Sequence, residues 1–112
     1  MNPNPDEVKE IDVHELKKWR ESGEDFILID VREPNEYEIA QIGGNLIPLG
    51  EISSRASEIS KDKKVVVMCR SGKRSATAVK ELQTKFGYTN LINLKGGILA
   101  WASEIDTSIP RY

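Results

Sequence analysis

The chain has 112 residues, with 16 Lys and Arg against 18 Asp and Glu, for a formal net charge of −2. That length suits one modest domain with its own core, and the acidic balance excludes a general nucleic-acid binder, which needs a basic surface. A single cysteine, Cys69, and a single histidine, His14, leave no internal disulfide and no structural zinc set, so no metal or cofactor is expected.

Residues 1–6 are polar and hold two prolines, unlike a signal peptide, and read as a flexible tail. Glu10 to Val13 suits a short strand. A helix is expected from about His14 to Ser22, with Asp12 as N-cap, Val13, Leu16 and Trp19 on one side and Gly23 at its end. His14 then stands on an exposed helix surface. Asp25 to Val31 contains the apolar run Phe26-Ile27-Leu28-Ile29 and reads as a second strand. It leads through Asp30-Val31-Arg32 to Pro34, which suits the first turn of a helix reaching about Ile39. Asp30 and Arg32 therefore stand at a strand's carboxyl end. There they either cap and pair locally or add to the field of a site.

Ala40 to Asn45 is a loop, and Leu46 to Leu49 a very short strand. Glu51 to Ser60 carries Ile52, Ala56 and Ile59 at helical spacing. Val65-Val66-Val67-Met68 reads as a strand buried on both faces. It stops at Cys69, and a polar loop follows. Ser75, Ala78, Val79, Leu82 and Phe86 then fall on one helical face, with Gly87 as C-cap. Asn90 to Leu94 makes a last strand, followed by Gly96-Gly97 and a helix over Ile98 to about Ile105. Gly96-Gly97 is either a tight turn for that helix or backbone lining a pocket. Trp101 is assigned to the core. Residues 107–112 read as a second tail, which leaves the domain at 7–106. The longest apolar runs are four or five residues, so no membrane span is expected. The expectation is a cytoplasmic protein, with a monomer as the default at this size.

Five short strands alternating with helical segments imply an α/β fold, with a five-stranded, mostly parallel sheet flanked by helices on both faces. Ligands of such sheets bind at the carboxyl ends of the strands. Cys69 stands there, followed by Arg70, Lys73 and Arg74 and by a helix N-terminus. Cations and helix N-termini favour a thiolate over a thiol. Backbone N–H groups curling around the sulfur, with Gly72 supplying the freedom to curl, make an anion-binding nest. A cysteine protease needs a nearby imidazole, and a thioredoxin-like dithiol a second cysteine. The chemistries left are phosphoryl transfer to cysteine and transfer of a sulfane sulfur.

The chain resembles the rhodanese-like domain in its small single-domain form. The resemblance covers Glu10 to Ser103. It rests on Asp30-Val31-Arg32, Glu36-Tyr37, Ile47-Pro48, the segment Cys69-Arg70-Ser71-Gly72-Lys73-Arg74-Ser75, and Leu94-Lys95-Gly96-Gly97 with Trp101. Where many members have Gly-His-Ile-Pro-Gly, this chain has Ala40-Gln41-Ile42-Gly43-Gly44. The resemblance implies a sulfurtransferase with catalytic Cys69 and an active-site loop from Arg70 to Arg74. The donor is a small anion such as thiosulfate and the acceptor cyanide or a thiol, with a protein donor or acceptor as the alternative. Arg70, Lys73 and Arg74 would draw the donor in, and Ser71 and Ser75 would donate hydrogen bonds. A partner-dependent sulfur carrier or a binding module is the alternative of another class. A phosphatase or arsenate reductase ranks behind. Phosphatases of related fold have five residues between cysteine and arginine, and here four separate Cys69 from Arg74.

Overall fold

The computed structural model describes residues 4–112. Of the tail expected over residues 1–6, residues 1–3 lie outside the described residues. In chain order the strands are β1 (Glu10–Ile11), β2 (Phe26–Asp30), β3 (Asn45–Leu46), β4 (Lys64–Met68) and β5 (Leu91–Leu94). The helices are α1 (Val13–Ser22), α2 (Pro34–Ile39), α3 (Lys73–Phe86) and α4 (Gly97–Glu104). The strands form one sheet in the order β1-β5-β4-β2-β3, and every pairing is parallel. This is the α/β architecture that the alternation of strands and helices implies.

The apolar runs of β2 and β4 are continuous because both sheet faces are covered. Ile29, Val65 and Val67 face Ala78, Val79 and Leu82 of α3 together with Ile52 and Ile59. Leu28, Val66 and Met68 face Val13 and Leu16 of α1 together with Ile98 and Trp101 of α4. The period of two along each strand thus sends alternate residues into two separate cores.

The caps follow their expected chemistry. Asp12 accepts the Glu15 N–H at 2.9 Å, and Gly23 and Gly87 close α1 and α3 in left-handed conformation. His14 is exposed and meets Glu104 at 2.9 Å.

Two expectations differ from the structure. Residues 51–60 form no α-helix; one short 3-10 turn, Leu49–Glu51, ends where they begin, and a second, Ala56–Glu58, lies within them. Ser54 turns its hydroxyl back onto the Glu51 carbonyl, and the Tyr88 hydroxyl donates to the carbonyls of Ala56 and Ile59. Such side-chain bonds compete with the helical ladder. Ile52, Ala56 and Ile59 are buried all the same. Phe86 is 38% exposed rather than buried. At ~1.5 Å per residue α3 is about 21 Å long, and its last turn outruns the strands beneath it, which rise ~3.3 Å per residue.

Candidate active site

Parallel register brings the chemically distinctive residues to one edge. Asp30 pairs with Met68, and Val67 pairs with Asn93, so Cys69 emerges from β4 between the ends of β2 and β5. Its residue surface is 1% exposed. The Gly72 N–H donates to Cys69 Sγ at 3.0 Å, and the Ser75 hydroxyl donates to it at 3.3 Å. Gly72 is the N-cap of α3 with φ of 100°, a left-handed conformation that lets the loop close in four residues. Ser75 is fully buried beneath the sulfur, one turn into α3.

The loop is held from outside by α4. Two N–H groups of its first turn, of Ile98 and Leu99, donate to the carbonyls of Cys69 and Arg70 at 3.0 and 3.1 Å. In a trans peptide the N–H points opposite to the carbonyl it follows, so the N–H groups of Arg70 and Ser71 face away from α4. A Cβ on Gly97 would overlap those same two carbonyl oxygens. Gly97 is therefore required for the approach of α4 to the loop.

The three cations of the loop have different surroundings. Lys73 is exposed, and its ammonium has no ion-pair partner among the described residues. Arg70 is exposed and lies 5.6 Å from the ring of Tyr112. Arg74 donates through both terminal nitrogens to Glu36, at 2.6 and 2.8 Å. That bond, against an opposing desolvation cost, holds the Glu36 carboxyl at about 2, far below the usual carboxylate range. The pKa of Arg74 is raised, first by Glu36 and to a lesser degree by the nearby Cys69 and Asp30. Ser71 is exposed in the loop and makes no side-chain hydrogen bond among the described residues.

Asp30 and Arg32 are fully buried beside this network. Asp30 accepts from the Arg32 backbone N–H at 3.0 Å, from Nε, and from Nη2 at 2.7 Å. Arg32 also donates to the carbonyls of Glu36 and Ala40 at the end of α2. The pair ties α2 to the end of β2, and the guanidinium does not reach the rim. The Gln41 side chain, where many family members have histidine, accepts its own loop's Gly43 N–H.

Glu36, Asn93 and Tyr112 stand at this edge without having been singled out as site residues by the sequence. Glu36 was detectable as the N3 member of a capping box with Glu33, just after Pro34 sets the helix start. Asn93 interrupts an otherwise apolar buried strand, which is a signal in itself. Nothing in the sequence distinguishes Tyr112.

The family model for the rhodanese-like domain matches residues 12–104. The chain belongs to this family. A sulfurtransferase of Allochromatium vinosum is 44% identical over 96 residues, spanning 85% of this chain and 89% of that protein. The probable adenylyltransferase/sulfurtransferase MoeZ of Mycobacterium tuberculosis is 38% identical over 101 residues, spanning 88% of this chain but only 26% of that longer protein. The solved rhodanese-like domain protein of Staphylococcus aureus superposes with a TM-score of 0.79 at 29% identity, covering 88% of this chain and 95% of that one. Sulfurtransferases are thus among the relatives of this rhodanese-like domain. No helix among the described residues is long and apolar enough to cross a membrane.

Proposed function

We propose that this domain moves a sulfane sulfur from a small anionic donor such as thiosulfate to a nucleophilic acceptor through a persulfide on Cys69. The observation that carries the reading is the pair of donors on the sulfur, the Gly72 N–H and the Ser75 hydroxyl. Donors fixed around an atom that is anionic as the attacking thiolate, and again as the thiolate that leaves when the outer sulfur is taken, act without reorganising during the reaction.

The Cys69 thiolate attacks the outer sulfur of thiosulfate. A new S–S bond forms, the old one breaks, and sulfite leaves with its electron pair. Cyanide or a thiolate then attacks the outer persulfide sulfur, and thiocyanate or a new persulfide leaves as the Cys69 thiolate returns. No proton transfer is needed, which agrees with a site lacking histidine. Lys73 and Arg70 line the mouth and draw the dianion in. Arg74 keeps the start of α3 in place through Glu36. That engagement of both terminal nitrogens also weighs against phosphoryl transfer, which would require them for the phosphate oxygens.

Intact mass of the reduced protein, before and after brief thiosulfate treatment and again after cyanide, tests the reading. Gain of one sulfur, absent in Cys69→Ser and released by cyanide as thiocyanate, is expected. No gain with thiosulfate, but loading by a protein donor such as a cysteine desulfurase, would convert the reading to that of a partner-dependent carrier. No loading by either would leave a binding module.

A further inference from the structure

Gly72, whose N–H reaches the Cys69 sulfur, is itself bonded through its carbonyl to the sheet. Asn93, in β5, is 1% exposed and lies in register with Val67 of β4 and Glu10 of β1. Its side-chain Nδ2 donates to the Gly72 carbonyl at 3.1 Å and to Glu10 Oε2 at 2.8 Å. Both partners are pure acceptors, so the amide has one orientation: nitrogen toward them, oxygen away. The oxygen Oδ1 is then buried with no hydrogen-bond partner. A buried amide oxygen left unpaired opposes folding, and an apolar side chain of similar size would not incur that cost. Asn93 is thus a poor choice for the core and a good one for holding Gly72.

The geometry explains what is held. Gly72 has no side chain, and its left-handed conformation is one of several open to glycine. Its carbonyl accepts both the Ala76 N–H, which starts α3, and Asn93 Nδ2. With the carbonyl bonded to both helix and sheet, rotation about Gly72 is restricted, and in this arrangement the N–H of the same residue points to Sγ at 3.0 Å. The carboxylate of Glu10 fixes the amide through a charge-assisted bond. A chain of contacts therefore runs from the edge strand to the reacting sulfur.

We propose that Asn93 is a positioning residue for the Cys69 sulfur: it clamps the Gly72 carbonyl, with Glu10 orienting its amide, and so aims the Gly72 N–H at the charged sulfur. This rests on the reading of Cys69 as the sulfur-bearing atom.

Asn93→Leu separates this role from a structural one. The variant is expected to unfold at the same or a higher temperature than the parent. Its kcat with thiosulfate and cyanide falls about tenfold, the equivalent of one hydrogen bond lost from a charged sulfur, with KM nearly unchanged. The persulfide form loses its sulfur faster, and the Gly72 amide exchanges its hydrogen faster. Glu10→Ala, at an exposed edge position, gives the same pattern to a smaller degree and serves if the leucine variant does not fold. Unchanged kcat, persulfide lifetime and Gly72 exchange in both variants would overturn the proposal, as would activity falling only in step with stability. Failure of the parent to take up sulfur would count against the proposed function instead. The rate of Cys69 alkylation by iodoacetamide, compared between parent and variants, would then decide the positioning role by itself.

Discussion

Arg74, at the start of α3, and Glu36, in α2, form a two-pronged ion pair at 2.6 and 2.8 Å across 38 positions of sequence. The carboxylate is 9% exposed and also accepts the Glu33 N–H, so a helix cap and a loop anchor share one side chain. Glu36→Gln keeps the shape and removes the charge. It leaves a guanidinium that is 36% exposed and partly hydrated, so the loss is below that of a fully buried pair. A fall of about 1–2 kcal/mol in unfolding free energy is expected from urea denaturation. An unchanged midpoint would show that the pair adds nothing to stability.

The same pair has a pH signature. The Glu36 carboxyl is lowered from 4.5 to about 2, chiefly by the Arg74 hydrogen bond. A carboxylate with a depressed folded-state pKa contributes its stability in full above the unfolded value and loses it as pH falls toward the folded one. The stability difference between parent and Glu36→Gln should therefore be constant above pH 4.5 and shrink from there toward pH 2. A difference that stays flat through that window would assign the effect to helix capping rather than to the charge.

The sheet and the place of Cys69 were legible because they follow from local pattern. Four apolar residues before Cys69 and helical spacing after Ser75 are enough to put the sulfur at a strand end facing a helix N-terminus. The helix expected over residues 51–60 was not borne out, since Ile52, Ala56 and Ile59 are buried through turns that Tyr88 stabilises from a distant segment. For the same reason the partner of Glu36 and the clamp on Gly72 were illegible. Each depends on a contact between residues far apart in the chain, which spacing and composition do not encode.

Asp30 and Arg32 are a buried ion pair with no exposure of either side chain. Removing one partner leaves the other charged and unpaired in the core, and such losses run to about 3–5 kcal/mol. Arg32→Ala also frees the carbonyls of Glu36 and Ala40 from their donor, loosening the end of α2. The expected outcome is a strongly lowered thermal midpoint with a soluble but unstable domain. Arg32→Lys should rescue little, because an ammonium cannot reproduce the forked set of bonds. Near-parental stability in both variants would contradict this account.

Arg70 is one of two exposed cations of the loop, and the Tyr112 ring lies 5.6 Å from its guanidinium. Ile105 and Ile109 pack against the core, and Asp106 accepts from Ser108, so the chain beyond α4 is led back toward the loop. An exposed cation–π contact is worth about 0.5–1 kcal/mol. Releasing Arg70 lets it leave the position from which, on the proposed function, it would draw in the anion. Tyr112→Ala is therefore expected to raise KM for thiosulfate about two- to fivefold with kcat unchanged, the kinetic equivalent of that energy. Tyr112→Phe keeps the ring and should behave as the parent. Arg70→Ala should raise KM further and flatten its dependence on ionic strength. Equal KM in the parent and Tyr112→Ala would mean that Arg70 keeps its position without the ring.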